Sequence, residues 1–275
     1  MYSLHKIPVS LIVFSLSLAL AGNNPHNFTA GASGAGRGSV CIMKPGFWSS
    51  FTNPALLASF PDFSTGINYE NRFNISELGS RSAALIIPAG KPSLGIIYSH
   101  FGFSHFSRQS CGIACGSLLW EKISAGVQID YFFEKVSEKY DNVHSVTFEG
   151  GLLIAAAENI NIGIHVFNPL PNSLRRRVLP SSIRTGAGIM LSENLFAGAE
   201  AELCTGNKLA LRAGFEYGLT NDLFVRGGFS SRYSSFSFGL GCNFDRLDLD
   251  ISFAGHERLG ITTTFSLVFL VKSSG

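Results

Sequence analysis

The stretch Leu209-Ala210-Leu211-Arg212-Ala213-Gly214-Phe215-Glu216-Tyr217-Gly218 alternates without a break. In an extended chain successive side chains point to opposite faces, so Leu209, Leu211, Ala213, Phe215 and Tyr217 share one face. Ala210, Arg212, Gly214, Glu216 and Gly218 share the other, which is polar or nearly bare. The same division recurs at Ile123, Ala125, Val127, Ile129, Tyr131 and Phe133 against Ser124, Gly126, Gln128 and Asp130. It recurs again at Phe236, Phe238, Leu240 and Phe244 against Ser235, Ser237, Gly239 and Asn243.

Marking every run of this kind predicts strands near 63–74, 78–88, 92–103, 108–119, 121–134, 143–157, 159–168, 182–192, 194–204, 208–218, 222–231, 234–244, 246–254 and 258–271. That is about fourteen, and single-chain bacterial barrels have even strand numbers. Connection lengths give an independent test. The links Ala157-Glu158, Glu193, Thr220-Asn221 and Asp245 are tight and all join an even strand to an odd one. The two long links, Glu134 to Asn142 and Pro169 to Ser181, both join an odd strand to an even one. With both termini periplasmic, both long loops face outward, as barrels of this class require.

Composition agrees. The chain is 45% hydrophobic but only 15% charged, against roughly 25% charged in ordinary globular proteins. A barrel strand hides its lipid-facing side chains by alternation, so charge is scarce although no long apolar run exists. The 30 glycines and 24 phenylalanines fit a crowded lumen and a lipid-facing wall. A soluble β-sandwich would also alternate, but it would turn charged faces to water. Here the polar faces carry Gly, Ser and Thr instead, which suits a narrow lumen. The expected fold is an all-β, antiparallel transmembrane β-barrel of about fourteen strands behind a short N-terminal helical or loop segment.

Residues 1–21 read as a signal peptide: Lys6, an apolar run from Ile7 to Leu20, and the small-x-small triplet Ala19-Leu20-Ala21. The run is shorter than the roughly 20 residues of a spanning helix. Residues 22–62 form a lead-in, flexible and Gly-rich over Gly22 to Gly46, then a short helix or turn with Asn53 as N-cap and Pro54 and Ala55 in its first turn. Residues 63–275 form the barrel.

Several functions are excluded by what the chain lacks. A formal net charge of +2, with no basic run beyond Arg175-Arg176-Arg177, argues against nucleic acid as a partner. Those arginines lie in the longest external loop, where a solvated loop face is the plain reading and contact with anionic lipopolysaccharide or a partner the alternative. Cys111 and Cys115 would sit roughly 13 Å apart along one strand and cannot bridge each other. With no CxxC spacing, the five cysteines read as small apolar fillers. The seven histidines form no HExxH motif and no Gly-x-Ser-x-Gly elbow occurs, so no metal, cofactor or enzymatic role is expected. The sequons at Asn27 and Asn74 are chance matches in a bacterial envelope chain. Membrane lipids are the expected surroundings.

The inward faces should carry His165, Arg184, Glu200, Glu202, Arg212, Glu216, Arg226, Asp248 and Asp250. Adjacent strands bring Glu200 and Glu202 near Arg212, and Arg226 near Glu216. Two readings of this mixture stand: a hydrophilic or gated conduit, or ion pairs that hold a narrow barrel together. Phe196 and Leu153 also point inward and would help to fill it.

Two stretches carry a resemblance to a known family. Ala30-Gly31-Ala32-Ser33-Gly34-Ala35-Gly36-Arg37-Gly38-Ser39-Val40, followed by Trp48-Ser49-Ser50-Phe51-Thr52-Asn53-Pro54-Ala55-Leu56-Leu57-Ala58, resembles the opening of the PorV/PorQ and FadL-like outer-membrane proteins of Bacteroidetes-type bacteria. Thr52 and Leu56 stand where that group has an aromatic residue and glycine. Ile162 to Pro169, then Leu179-Pro180-Ser181-Ser182-Ile183-Arg184-Thr185-Gly186-Ala187-Gly188, looks like the group's mid-barrel passage. Asn53, Pro54, Ala55, Asn168, Pro180, Arg184 and Gly186 are the matching positions, with architectural roles. The chain is short for the group and ends in a polar tail rather than on an aromatic residue.

The resemblance implies fourteen strands, an N-terminal segment near or inside the barrel mouth, and an outer-membrane location. It also implies two different jobs. PorV-like and PorQ-like members serve type IX secretion, holding or shuttling cargo alongside secretion-system proteins, whereas FadL-like members take up hydrophobic compounds. A lead-in too short for a large hatch, and inward faces without a continuous apolar channel, favour an association with protein secretion or surface attachment. A passive channel for small hydrophobic solutes is the alternative, and a purely structural barrel a third reading.

Overall fold

Fourteen antiparallel strands close on themselves in sequence order, the last returning to the first. The structure is a computed structural model and describes residues 28–104, 106–136, 142–170, 179–206, 209–232 and 234–271. The expected signal peptide at 1–21, the sequon at Asn27 and Arg175-Arg176-Arg177 lie outside the described residues. The strands are β1 (Phe63–Asn71), β2 (Gly79–Pro88), β3 (Pro92–Phe103), β4 (Phe106–Trp120), β5 (Ile123–Val136), β6 (Val143–Ala157) and β7 (Ile160–Phe167). They continue as β8 (Ser182–Ser192), β9 (Leu195–Cys204), β10 (Ala210–Gly218), β11 (Leu223–Ser230), β12 (Ser235–Phe244), β13 (Leu247–His256) and β14 (Gly260–Val271). The predicted barrel is therefore observed, and each strand lies within a few residues of its sequence reading.

The largest departure is at the end of β1, which stops at Asn71 rather than 74. Phe73 and Asn74 take left-handed backbone angles, φ 58° and 56°, which a strand cannot hold. The tight turns and both chain ends share one rim, and the links after odd strands share the other. Closure is made by β1 and β14, paired from Phe63 with Val271 to Asn71 with Thr263. The other thirteen pairs are equally continuous, with register shifts only near Leu118, Ala155 and Met190 at the chain-end rim. The wall has no lateral gap among the described residues.

Burial follows the alternation. Ile113, Val127 and Ile129 point outward and are each 62% exposed, whereas Gln128, Asp130, Glu200 and Glu202 point inward and are buried. An apolar outer face with a polar inner one inverts the layout of a water-soluble sandwich. It places hydrocarbon, not water, against the wall. None of the described helices is long and apolar enough to cross a membrane, and the crossing is made by strands.

The lead-in does not behave as a flexible tether. Residues 28–62 lie inside the barrel, with an α-helix α1 (Gly31–Gly36) and 3-10 turns at Trp48–Phe51 and Pro54–Ser59. Composition explains the difference. Residues 30–39, all Gly, Ala or Ser except Arg37, have so little side-chain volume that they thread between the inward faces, and the lumen supplies the hydrogen bonds they cannot make to themselves.

Candidate functional site: a plugged lumen

The plug is held along three lines of contact. On one side α1 lies against β12 to β14: Ala32 N donates to Ser266 Oγ at 2.7 Å, and Ser237 Oγ donates to the Gly36 carbonyl at 3.0 Å while accepting from Gly38 N at 2.9 Å. In the middle, Cys41 N and Ile42 N both donate to Glu200 Oε1, at 2.5 and 2.8 Å. Opposite, the Asn53 amide donates to the carbonyls of Ile42 (2.7 Å) and Leu152 (3.2 Å), and its oxygen caps the next turn by accepting from Ala55 N at 3.1 Å. Asn53 thus ties two parts of the plug to each other and to β6.

This seating depends on bare positions in the wall. Gly126 and Gly151 are cross-strand partners, and a Cβ on either would strike Pro54 or Asn53. Gly214 and Gly228 form a second such pair, into which the Arg37 carbonyl fits. Each pair is a notch one backbone wide.

The charged residues form two connected sets. Arg184 pairs with Glu200 and donates to the Ser39 carbonyl at 3.0 Å, while Arg212 and Arg232 pair with Glu202. Arg37 of the plug meets Glu216 at 2.6 Å, Lys44 meets it at 3.1 Å, and Arg226 joins Glu216 at 2.5 Å and also pairs with Asp250. The expected contacts of Glu200 and Glu202 with Arg212, and of Arg226 with Glu216, are therefore present. Asp248 faces the same way but makes no ion pair among the described residues. Each set reaches from wall to plug, through Arg184 and Glu200 in the first and Glu216 in the second, a contact the sequence reading did not foresee. A charge left unpartnered here would be costly, since breaking a buried pair typically costs about 3–5 kcal/mol.

Burial pulls the Lys44 ammonium down from its ordinary value, opposed by Glu216. It pushes the Cys41 thiol up, opposed by Arg184. All five cysteines are free thiols.

Across the lumen the character changes. Phe47, Trp48, Phe51 and Leu57 of the plug pack with Ile86, Ile97 and Val268 of the wall in one buried cluster. Phe47 lies edge-on to Trp48 and Phe51, with centroids 5.0 and 5.8 Å apart. A continuous apolar seam thus exists between plug and wall beside β14, β1, β2 and β3. The seam is a packed contact rather than an open channel, and half of it is built by plug side chains that a reading of strand faces cannot see.

Other inward groups are brought together without having been singled out. Gln128 donates to Asp130 at 2.8 Å and to Glu149 at 2.6 Å, and Glu149 contacts His165 at 2.7 Å. Of these only His165 was read as a candidate. Asn168, with φ 49°, accepts from Thr147 Oγ1 at 2.7 Å and donates to the Leu179 carbonyl at 2.8 Å, fixing the ends of the long loop; Pro180 follows directly. Gly186 leaves room for Met43 of the plug. Arg37 and Lys44 were missed, and the signal was available: they are the only two cations in residues 28–62. Toward the loop rim a polar vestibule of about 260 Å³ opens above the plug, floored by Ala35, Gly38 and Ser39 and walled by Arg212, Arg232 and Thr262.

Fold and site together define a class: a closed, fourteen-stranded transmembrane barrel whose lumen is occupied by its own N-terminal segment. No protein-family model matches the chain, and no curated relative does. Solved structures do. The toluene transporter TodX of P. putida aligns over 92% of this chain and 99% of its own, with 12% identity and a TM-score of 0.67. The toluene transporter TbuX of Ralstonia pickettii aligns over 89% and 98%, at 10% identity and 0.65. A FadL homologue of Pseudomonas aeruginosa aligns over 91% and 99%, at 12% identity and 0.65. The chain therefore shares the fold of FadL-type outer-membrane barrels.

Proposed function

We propose that the protein sits in the outer membrane and passes small hydrophobic solutes across it, along the apolar seam between plug and wall. The observation that carries this is the aromatic face of the plug, Phe47, Trp48 and Phe51, laid against Ile86, Ile97 and Val268. Such a seam binds by burying apolar area and makes few demands on hydrogen bonding, which suits compounds of the size and polarity of toluene. Its fold neighbours named as toluene transporters support the same reading. Since the wall is continuous among the described residues, solute runs lengthwise past the plug, which must shift to admit it.

The secretion reading loses the premise that favoured it. It rested on a lead-in too short to act as a hatch and on the lack of an apolar path. The narrow lumen needs only residues 28–62 to fill it, and the plug side chains give the seam an apolar lining that the strand faces alone lack.

The test is uptake of radiolabelled toluene into cells producing the protein in the outer membrane, against cells lacking it, with glycerol as a polar control. A gain for toluene alone is expected, and Phe51→Ala should change that rate while leaving glycerol unmoved. Equal toluene uptake with and without the protein would reject the proposal, and a secreted protein co-purifying in stoichiometric amount would restore the secretion reading.

A further inference from the structure

The outer wall carries an arrangement unrelated to the lumen. Among the described strand residues, no Asp or Glu faces outward, and the outward cations are Arg81 and Lys135. Arg81 is exposed and makes no side-chain hydrogen bond or ion pair among the described residues. It lies near the loop rim, two residues into β2, with outward-facing Tyr69 and His100 as its cross-strand partners. A cation on a hydrocarbon-facing wall is unfavourable unless an anion meets it.

Directly below Arg81 the wall is grooved. A concavity of about 1030 Å³ includes Arg81 in its lining and is otherwise almost wholly apolar. Its axis is the row Ala83, Ile67, Leu267, Leu249 and Cys242, which are successive cross-strand partners from β2 to β12. Four strand spacings make this row about 19 Å long. It runs across the strands, so their tilt of roughly 35–45° slopes it from the loop rim down toward the chain-end rim.

We propose that this groove is a specific site for a phosphorylated lipid of the outer leaflet, with the phosphate on the Arg81 guanidinium and an acyl chain in the trough. Charge complementarity selects that occupant. The groove has one cation, at the interfacial end, and an apolar floor long enough for an acyl chain. A guanidinium also suits a phosphate better than a point charge does, because it can donate two parallel hydrogen bonds. Tyr69 and Tyr98 flank the site with rings of the kind that sit at headgroup level. The inference rests on the membrane placement proposed above, but not on solute transport.

Native mass spectrometry of the full-length mature barrel in detergent tests it, with hexa-acylated diphosphoryl lipid A and its dephosphorylated form as probes. The protein should retain one diphosphoryl lipid A. Arg81→Gln should weaken that binding about tenfold, and the dephosphorylated lipid should bind the unaltered protein as weakly. Ala83→Trp, which fills the trough, should weaken both lipids. Arg81→Lys should keep part of the preference, so the charge can be assessed even if Arg81→Gln fails to fold. Equal retention of the two lipids by the unaltered protein would overturn the proposal and leave ordinary annular contact. Loss of the heat-shifted gel band of a folded barrel would instead overturn the membrane placement beneath it.

Discussion

Replacing Glu200 by alanine should unseat the plug without opening the barrel. Glu200 Oε1 accepts from Cys41 N and Ile42 N, and its other oxygen pairs with Arg184. Hydrogen bonds to a charged group are worth about 1.5–3 kcal/mol each, so the two N–H bonds alone set an upper range of about 3–6 kcal/mol. Water entering the vacated space recovers part of that. Taking about 3 kcal/mol, at 1.36 kcal/mol per factor of ten, the unseated population rises roughly a hundredfold. Cys41 reports it directly, being fully buried when the plug is seated. Burial also pushes its thiol up, so release increases both access and thiolate. In a background with the other four cysteines changed to alanine, maleimide should label Cys41 about a hundred times faster in Glu200→Ala. Glu200→Gln keeps one acceptor oxygen and should fall between. A labelling rate within about threefold of the parent, in protein that still shows the heat-shifted band, would refute the assignment of Glu200 as the plug anchor.

Gly151→Val should raise the same labelling rate, because its side chain occupies the place of Asn53; an unchanged rate would mean that the notch does not hold the plug. Asn53→Ala removes two donated bonds and a cap and should lower seating by about 1–3 kcal/mol, read as faster proteolysis within residues 28–62. Phe51→Ala should create a cavity costing about 3–5 kcal/mol, seen as a lower urea midpoint together with the altered toluene uptake. Ile129→Arg, outward in the middle of β5, should cost about 2–4 kcal/mol in bilayer-based urea titrations, whereas a water-facing position would show almost no change.

The wall was legible because every strand repeats a two-residue rule and sequential strands pair. Once hairpin register follows, the contact of Arg226 with Glu216 follows too, as they are direct cross-strand partners. The plug obeys no such rule. Ala32 and Ser266, or Cys41 and Glu200, meet across more than half the chain, and nothing local in a Gly- and Ala-rich run announces the partner. What the sequence did contain was indirect: two isolated cations in the lead-in, and inward glycines that oppose each other at Gly126 with Gly151 and at Gly214 with Gly228. Opposed bare positions on a polar face mark a place where something other than a side chain must lie.

The contact of α1 with the closing seam bears on assembly. Ser266 of β14 accepts from Ala32 of the plug and donates to Asn68 of β1, so one hydroxyl bridges the first strand, the last strand and the segment made before either. That bridge cannot form until the C-terminal strand arrives. A chain that folds in order can seat its plug on Leu152 and Glu200 as β6 and β9 form, but the α1 end stays unfastened until the final hairpin zips shut, and that event both seals the ring and clamps the last part of the plug. Such late, long-range pairing is slow, so closure of the ring and the last clamp on the plug share one step.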